Sequence, residues 1–184
     1  KTRGASRRDL FNRGKLWLDY MLANGTTTVE TKSGYGLNYS QEIRHLGIID
    51  ELRREVHSVE VISTFLGAHA WPNDKTHEEY MEELEKMIAY VAYERLAEFC
   101  DVFCENGAFS LKESQRILEC AKARGMKLKI HAGEMTDLRG GELAAHLGVT
   151  SLDHGEHISD DQVEMLAKRC IPIVLMPGVN FHLM

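Results

Sequence analysis

Six times along this chain an apolar run gives way to a polar loop and then to a helical pattern. That rhythm restricts the fold more than any composition figure. The runs fall at 26–30, 59–66, 101–105, 126–130, 150–153 and 171–176. The helices between them are punctuated by local chemistry. Ser6 with Asp9 opens the first helix and Asn24-Gly25 closes it. Leu10, Phe11, Trp17, Leu18, Met21 and Leu22 supply its apolar face. A second helix covers about 40–55. Thr76 with Glu79 and Ser110 with Glu113 read as capping boxes, Gly125 as a helix stop, and Ser159 with Gln162 as another cap. A short helix is expected near 141–146.

Apolar strands that alternate with helices pair in parallel through right-handed crossovers. Two folds suit the rhythm: an open doubly wound sheet and a (β/α)₈ barrel. The chain has neither the Gly-x-Gly-x-x-Gly fingerprint nor a P-loop. Polar residues stand instead at the carboxyl end of nearly every run, which favours the barrel, where many strands feed one rim. The expected class is therefore α/β, a partial (β/α)₈ TIM barrel. Six strands cannot close it. Residues 1–184 read as a single barrel segment cut at both ends, with two open strand edges.

A chain of 184 residues is long enough for a sizeable core, and its net charge of −6 argues against nucleic acid as a partner. No apolar run reaches the length of a membrane span, and the Lys-Thr-Arg-Gly-Ala-Ser start has no apolar segment behind it. Cys100, Cys104, Cys120 and Cys170 are scattered without a Cys-x-x-Cys pair. They read as reduced, buried thiols of a cytoplasmic protein.

The densest chemistry follows the fourth run, at Lys129-Ile130-His131-Ala132-Gly133-Glu134. A neutral imidazole on a rigid strand end is a good ligand for zinc or iron(II), so His131 is a candidate metal ligand. A lone histidine is more often a hydrogen-bonded core residue. Three strand exits carrying one (His69, His131, His154) bring a shared site to near parity with that plainer reading. Glu134, after a permissive Gly133, is placed to pass a proton to a leaving nitrogen. His154, flanked by Asp153, Glu156 and His157, is a candidate for orienting or deprotonating water. Tyr35, between Gly34 and Gly36, reaches a substrate or packs its own loop with similar odds. Glu105 is a supporting group or weak ligand, and Cys104 beside it reads as core. His45, His57, His77 and His146 read as solvated.

The blocks Thr27-Thr28-Val29-Glu30, Lys32-Ser33-Gly34-Tyr35-Gly36-Leu37, Ser63-Thr64-Phe65-Leu66-Gly67-Ala68-His69-Ala70, Asp101-Val102-Phe103-Cys104-Glu105, Lys129 through Glu134, Gly140-Gly141-Glu142-Leu143-Ala144 and Asp153-His154 follow in an order that resembles the imidazolonepropionases of the amidohydrolase superfamily. The resemblance covers essentially the whole chain, as the central portion of such an enzyme, strands two to seven. It implies hydrolysis of the cyclic amide of 4-imidazolone-5-propanoate to N-formimidoyl-L-glutamate in histidine degradation, with one divalent metal ion, zinc or iron. It implies His131 as metal ligand, Glu134 and His154 as catalytic groups, and Tyr35, His69 and Glu134 as substrate contacts. A small-molecule substrate and a homodimer are the expected partners.

The departures are specific. The family's His-x-His pair on the first strand, the aspartate ending the eighth and an upstream substrate-contacting arginine have no counterpart here. With Glu105 and no lysine at the fourth strand end, a single metal fits better than a lysine-bridged pair. By itself this chain is expected to bind metal weakly and to be inactive. Two rivals stay open: a related amidohydrolase or deaminase acting on another nitrogen heterocycle, and a non-catalytic segment.

Overall fold

The computed structural model describes residues 2–56 and 58–183 of the chain. They form two compact units that meet in sequence at Phe99 and Cys100.

The first unit begins with a single 3₁₀ turn at Thr2–Gly4, followed by α1 (Arg7–Ala23), β1 (Thr28–Lys32), α2 (Tyr39–Glu55), β2 (Glu60–Ala68) and α3 (His77–Glu94). The expected caps hold. Ser6 accepts the Asp9 amide at 3.1 Å. Thr76 and Glu79 exchange both bonds of a capping box. β1 lies parallel to β2, in a register that pairs Thr28 with Glu60 and Lys32 with Thr64. The apolar face expected on α3 is buried throughout: Tyr80, Leu84, Met87, Ile88 and Val91 pack with Phe65 and Leu46 in the core. α1 differs from expectation. Of its apolar face only Leu18 is buried, and Trp17 and Tyr20 stand exposed with their rings edge to face. Leu10, Phe11, Met21 and Leu22 are half-buried, as on a helix that lays one narrow stripe along its neighbour.

The second unit runs β3 (Phe99–Cys104), α4 (Leu111–Lys122), β4 (Lys127–Ala132), α5 (Gly140–Leu147), β5 (Ser151–His154), α6 (Asp160–Lys168), β6 (Ile173–Val174) and α7 (Pro177–Leu183). β4 is parallel to β5, pairing His131 with Asp153, and β5 is parallel to β6. Strand order follows chain order in each unit, with no reversal. Doubly wound sheets reverse at a switch point, so this order is the barrel pattern. Ser110 and Glu113 form the expected capping box. Ser159 makes no capping bond to α6. Its hydroxyl instead receives the Arg139 guanidinium at 3.0 Å and the Gln162 amide at 2.9 Å. β6 is also shorter than its apolar run, because Pro172 brings no N–H to the ladder. Pro177 then starts a helix, a position that suits its fixed φ.

All four cysteines are free. Cys100 and Cys104 are buried as expected, and burial pushes both thiols up. Cys120 is only half-buried and Cys170 is exposed, which corrects the uniform reading. Among the described residues no helix is long and apolar enough to cross a membrane.

Candidate active site

Each unit carries part of the expected site, and each part is built by a strand end, a following loop and a buried glutamate.

In the first unit β1 runs into the loop Ser33-Gly34-Tyr35-Gly36-Leu37. Ser33 ties this loop to β2, donating its amide to Thr64 O at 3.1 Å and accepting the Leu66 amide on Oγ at 3.2 Å. Glu42, in the first turn of α2 and fully buried, then binds the loop backbone. Its carboxylate accepts the amides of Gly34 at 2.9 Å, Gly36 at 2.5 Å and Leu37 at 3.3 Å. Glycine is required at position 34. Its φ is +120°, and a Cβ would lie 2.7 Å from Leu66 O and 3.1 Å from the His69 Cβ. That missing side chain lets the loop close onto the end of β2. The Tyr35 ring comes to rest 5.0 Å from the His69 ring, tilted by 54°. Tyr35 remains 63% exposed. Past His69, Trp71 stacks on His77 with centroids 3.7 Å apart, and Tyr80 donates its hydroxyl to Gly67 O at 2.9 Å.

In the second unit β4 delivers His131 between two aspartates from its neighbouring strands. Asp101 of β3 lies 3.0 Å from His131 Nδ1, and Asp153 of β5 lies 3.6 Å from Nε2. Asp101 is fully buried and Asp153 nearly so. Lys129 Nζ stands 3.8 Å from Asp153. One ligand atom from each of Asp101, His131 and Asp153 falls within 4.8 Å of the others. Two ligands on one zinc ion sit at most about 4.2 Å apart, twice a bond of roughly 2.1 Å. The set therefore needs only small movements to hold a divalent cation. Sequence reasoning singled out His131 and did not point to the two aspartates that flank it. The signal was present in their places on the strands flanking β4.

His154 ends β5 with φ +77°, a left-handed backbone that a side-chain-bearing residue adopts at a cost of roughly 1–3 kcal/mol. Its ring centroid is 5.4 Å from that of His131. It lies between two carboxylates, Glu134 at 3.5 Å from Nε2 and Glu156 at 3.7 Å from Nδ1. Glu134 reaches it from a loop that departs β4 through Gly133, where φ is +68° and a Cβ would strike Ile158 at 2.7 Å. Glu105, at the end of β3 and 1% exposed, fastens this second loop. It accepts the amides of Met135 at 3.0 Å and Thr136 at 3.2 Å, together with the Thr136 hydroxyl. Burial pushes the Glu105 carboxyl upward. The Thr136 hydroxyl and the amides of Met135, Asn106 and Thr136 outweigh it and hold the group below its ordinary range.

The structure thus brings His131, Glu134 and His154 together in one unit, and Tyr35 and His69 together in the other. Glu105 is a loop anchor rather than a ligand of the group around His131. Of the histidines read as solvated, His146 is exposed, and His77 is exposed but stacked on Trp71. His45 is buried, a correction that follows from its place beside Leu46, Ile48 and Ile49 on the inner face of α2. His57 lies outside the described residues.

No family model matches the chain. Curated proteins do. The imidazolonepropionase of Clostridium tetani is 46% identical over 185 residues, 99% of this chain and 44% of that protein. That of Caldanaerobacter subterraneus is 48% identical with the same coverage. One from Streptococcus gordonii is 44% identical and is covered over 60% of its length. The chain thus spans less than half the length of the first two relatives it matches. Among solved structures, the N6-methyl-AMP deaminase of Arabidopsis thaliana aligns over 93% of this chain and 53% of its own, with TM-score 0.73 and 13% identity. The adenine deaminase of Arthrobacter aurescens aligns over 92% and 53%, with TM-score 0.68 and 16% identity. At such identities the likeness is one of fold, and it bears out the partial (β/α)₈ barrel. The sequence matches carry the relationship further: over its whole length this chain belongs with the imidazolonepropionases, as a portion matching about 44% of their length.

Proposed function

We propose that the enzyme to which this chain belongs hydrolyses the cyclic amide of 4-imidazolone-5-propanoate to N-formimidoyl-L-glutamate, a step of histidine degradation. The observation that carries the reading is the Glu134–His154 contact of 3.5 Å, set beside His131 in a chain 46% identical to a protein of that name.

His131, supported by Asp101 and Asp153, would hold one divalent ion, zinc or iron. When bound there, such an ion supplies Lewis acidity and lowers the pKa of water from about 15.7 toward roughly 7. His154, oriented between Glu134 and Glu156, takes the proton of the attacking water. Water oxygen adds to the ring carbonyl carbon, and the ring C–N bond breaks. Glu134 hands a proton to the departing ring nitrogen. Tyr35 and His69 contact the heterocycle. The proposal extends to one barrel of which this chain is a segment, acting in the cytoplasm as a homodimer on a small molecule, away from nucleic acid and membrane. The four free cysteines support the reducing compartment.

The test is a turnover assay on the metal-loaded enzyme. Glu134→Gln is expected to lower kcat by about 10²- to 10⁴-fold, the range of a positioned acid or base. A near-normal kcat removes Glu134 from the mechanism. Release of ammonia from another nitrogen heterocycle, with the imidazolone left intact, would move the enzyme to the deaminase class.

A further inference from the structure

An open pocket of about 450 Å³ lies among the helices of the second unit and shares no lining residue with the groups around His131 and His154. Its volume falls in the range that small organic ligands fill. α4, α5 and α6 all contribute to it. α5 starts close against β4 because position 140 is glycine: a Cβ there would fall 2.4 Å from the Ala132 Cβ. Leu143 and Ala145 of α5 are buried and line the pocket, and Met165 of α6 adds apolar surface.

The charged lining is one-sided. Three cations, Arg139, Lys168 and Arg169, meet one carboxylate, Glu142, in a chain whose net charge is −6. Arg139 is a fixed wall. It donates to Asp161 at 2.6 Å, Ser159 at 3.0 Å and Glu142 at 3.2 Å, which also occupies the Glu142 carboxylate. Lys168 pairs with Glu164 at 3.3 Å, but both side chains are well exposed, and water leaves such a pair worth little. Among the described residues the Arg169 guanidinium and the His146 imidazole have no ion-pair or hydrogen-bond partner.

We infer that this pocket binds a small organic phosphate monoester, its phosphate on Arg169, Lys168 and His146 and its apolar body on Leu143 and Met165. A guanidinium meets two phosphate oxygens at once, and a lysine beside it adds a point charge. The phosphate carries roughly −1.5 to −2 charges at neutral pH, which two cations balance and a carboxylate would not use in full. The apolar surface favours an ester over inorganic phosphate, because only the ester brings apolar area to bury.

The experiment is an NMR titration of the purified 184-residue chain at pH 7 and low salt with phenyl phosphate, phenol, benzoate and inorganic phosphate. Phenyl phosphate is expected to bind at least roughly tenfold more tightly than each of the others, the scale of one hydrogen bond to a charged group. Amide shifts should centre on Leu143, His146 and Arg169. Arg169 is exposed, so Arg169→Gln leaves the fold intact; it should weaken phenyl phosphate about tenfold and leave phenol unchanged. Met165→Ala should weaken both alike. Arg13→Gln on α1 removes the same charge from the first unit and should change nothing. Phenyl phosphate that binds no tighter than phenol or benzoate, an Arg169→Gln chain that keeps full affinity, or an Arg13→Gln chain that loses as much overturns the phosphate site. Shifts centred outside α4, α5 and α6 overturn the pocket as well.

Discussion

The two units solve one problem with the same device and put it to different ends. In both, a strand ends in a loop that has no regular hydrogen-bond ladder, and a buried glutamate binds that loop's amides. In the first unit the glutamate comes from the helix after the loop: Glu42 of α2 holds Gly34, Gly36 and Leu37. In the second it comes from the preceding strand: Glu105, one strand back, holds Met135 and Thr136. The displayed groups differ. The Glu42 loop offers an exposed aromatic face, and the Glu105 loop offers a carboxylate set against a histidine. Under the proposed function the first unit recognises and the second reacts. A buried carboxylate that collects several amides is costly alone and stable when saturated, which makes it a good anchor for a loop that must stay put.

The sharpest way to break this comparison is Glu105→Gln. The amide accepts fewer and weaker bonds, so a loss of about 1.5–3 kcal/mol in unfolding free energy is expected. Amide hydrogen exchange should rise at Met135 and Thr136 and stay unchanged at Gly34 and Gly36. Glu42→Gln should do the reverse, with a somewhat smaller loss of about 1–2 kcal/mol, because it gives up backbone partners only. If either substitution loosened both loops equally, the units would not be separate anchoring systems.

The smallest effect concerns pH and touches the first unit alone. Burial pushes the His45 pKa down, Glu42 opposes that shift, and Arg44 adds to it. A histidine whose folded pKa lies below its unfolded value resists protonation in the fold. Stability is then full above the unfolded pKa of about 6.5 and falls as pH drops through it. Denaturant midpoints between pH 7.5 and pH 5 should decline for the parent and decline less for His45→Gln. Equal slopes would remove His45 as the source.

What the sequence made legible was local. The Thr76–Glu79 and Ser110–Glu113 boxes are written within four residues, and both formed. The strand-end rule located His131, Glu134 and His154, because a parallel strand delivers its last residues to one end of the sheet. What stayed illegible depends on which elements become neighbours. Asp101 flanks His131 only because β3 comes to lie beside β4, 30 residues away in the chain. Ser159 lost its capping role to Arg139, 20 residues upstream. The anchoring by Glu42 and Glu105 is a bond from side chain to distant backbone, for which no periodicity exists. His45 was misread as solvated since polarity outweighed its position on the apolar stripe of α2.

The left-handed backbone at His154 also constrains how this chain can change over generations. Asparagine, aspartate and histidine itself tolerate such a φ better than most side chains, and glycine accepts it freely, whereas valine, isoleucine and threonine are strongly disfavoured there. A substitution at position 154 thus acts twice, removing the imidazole that faces Glu134 and Glu156 and, where the new side chain is β-branched, straining the backbone.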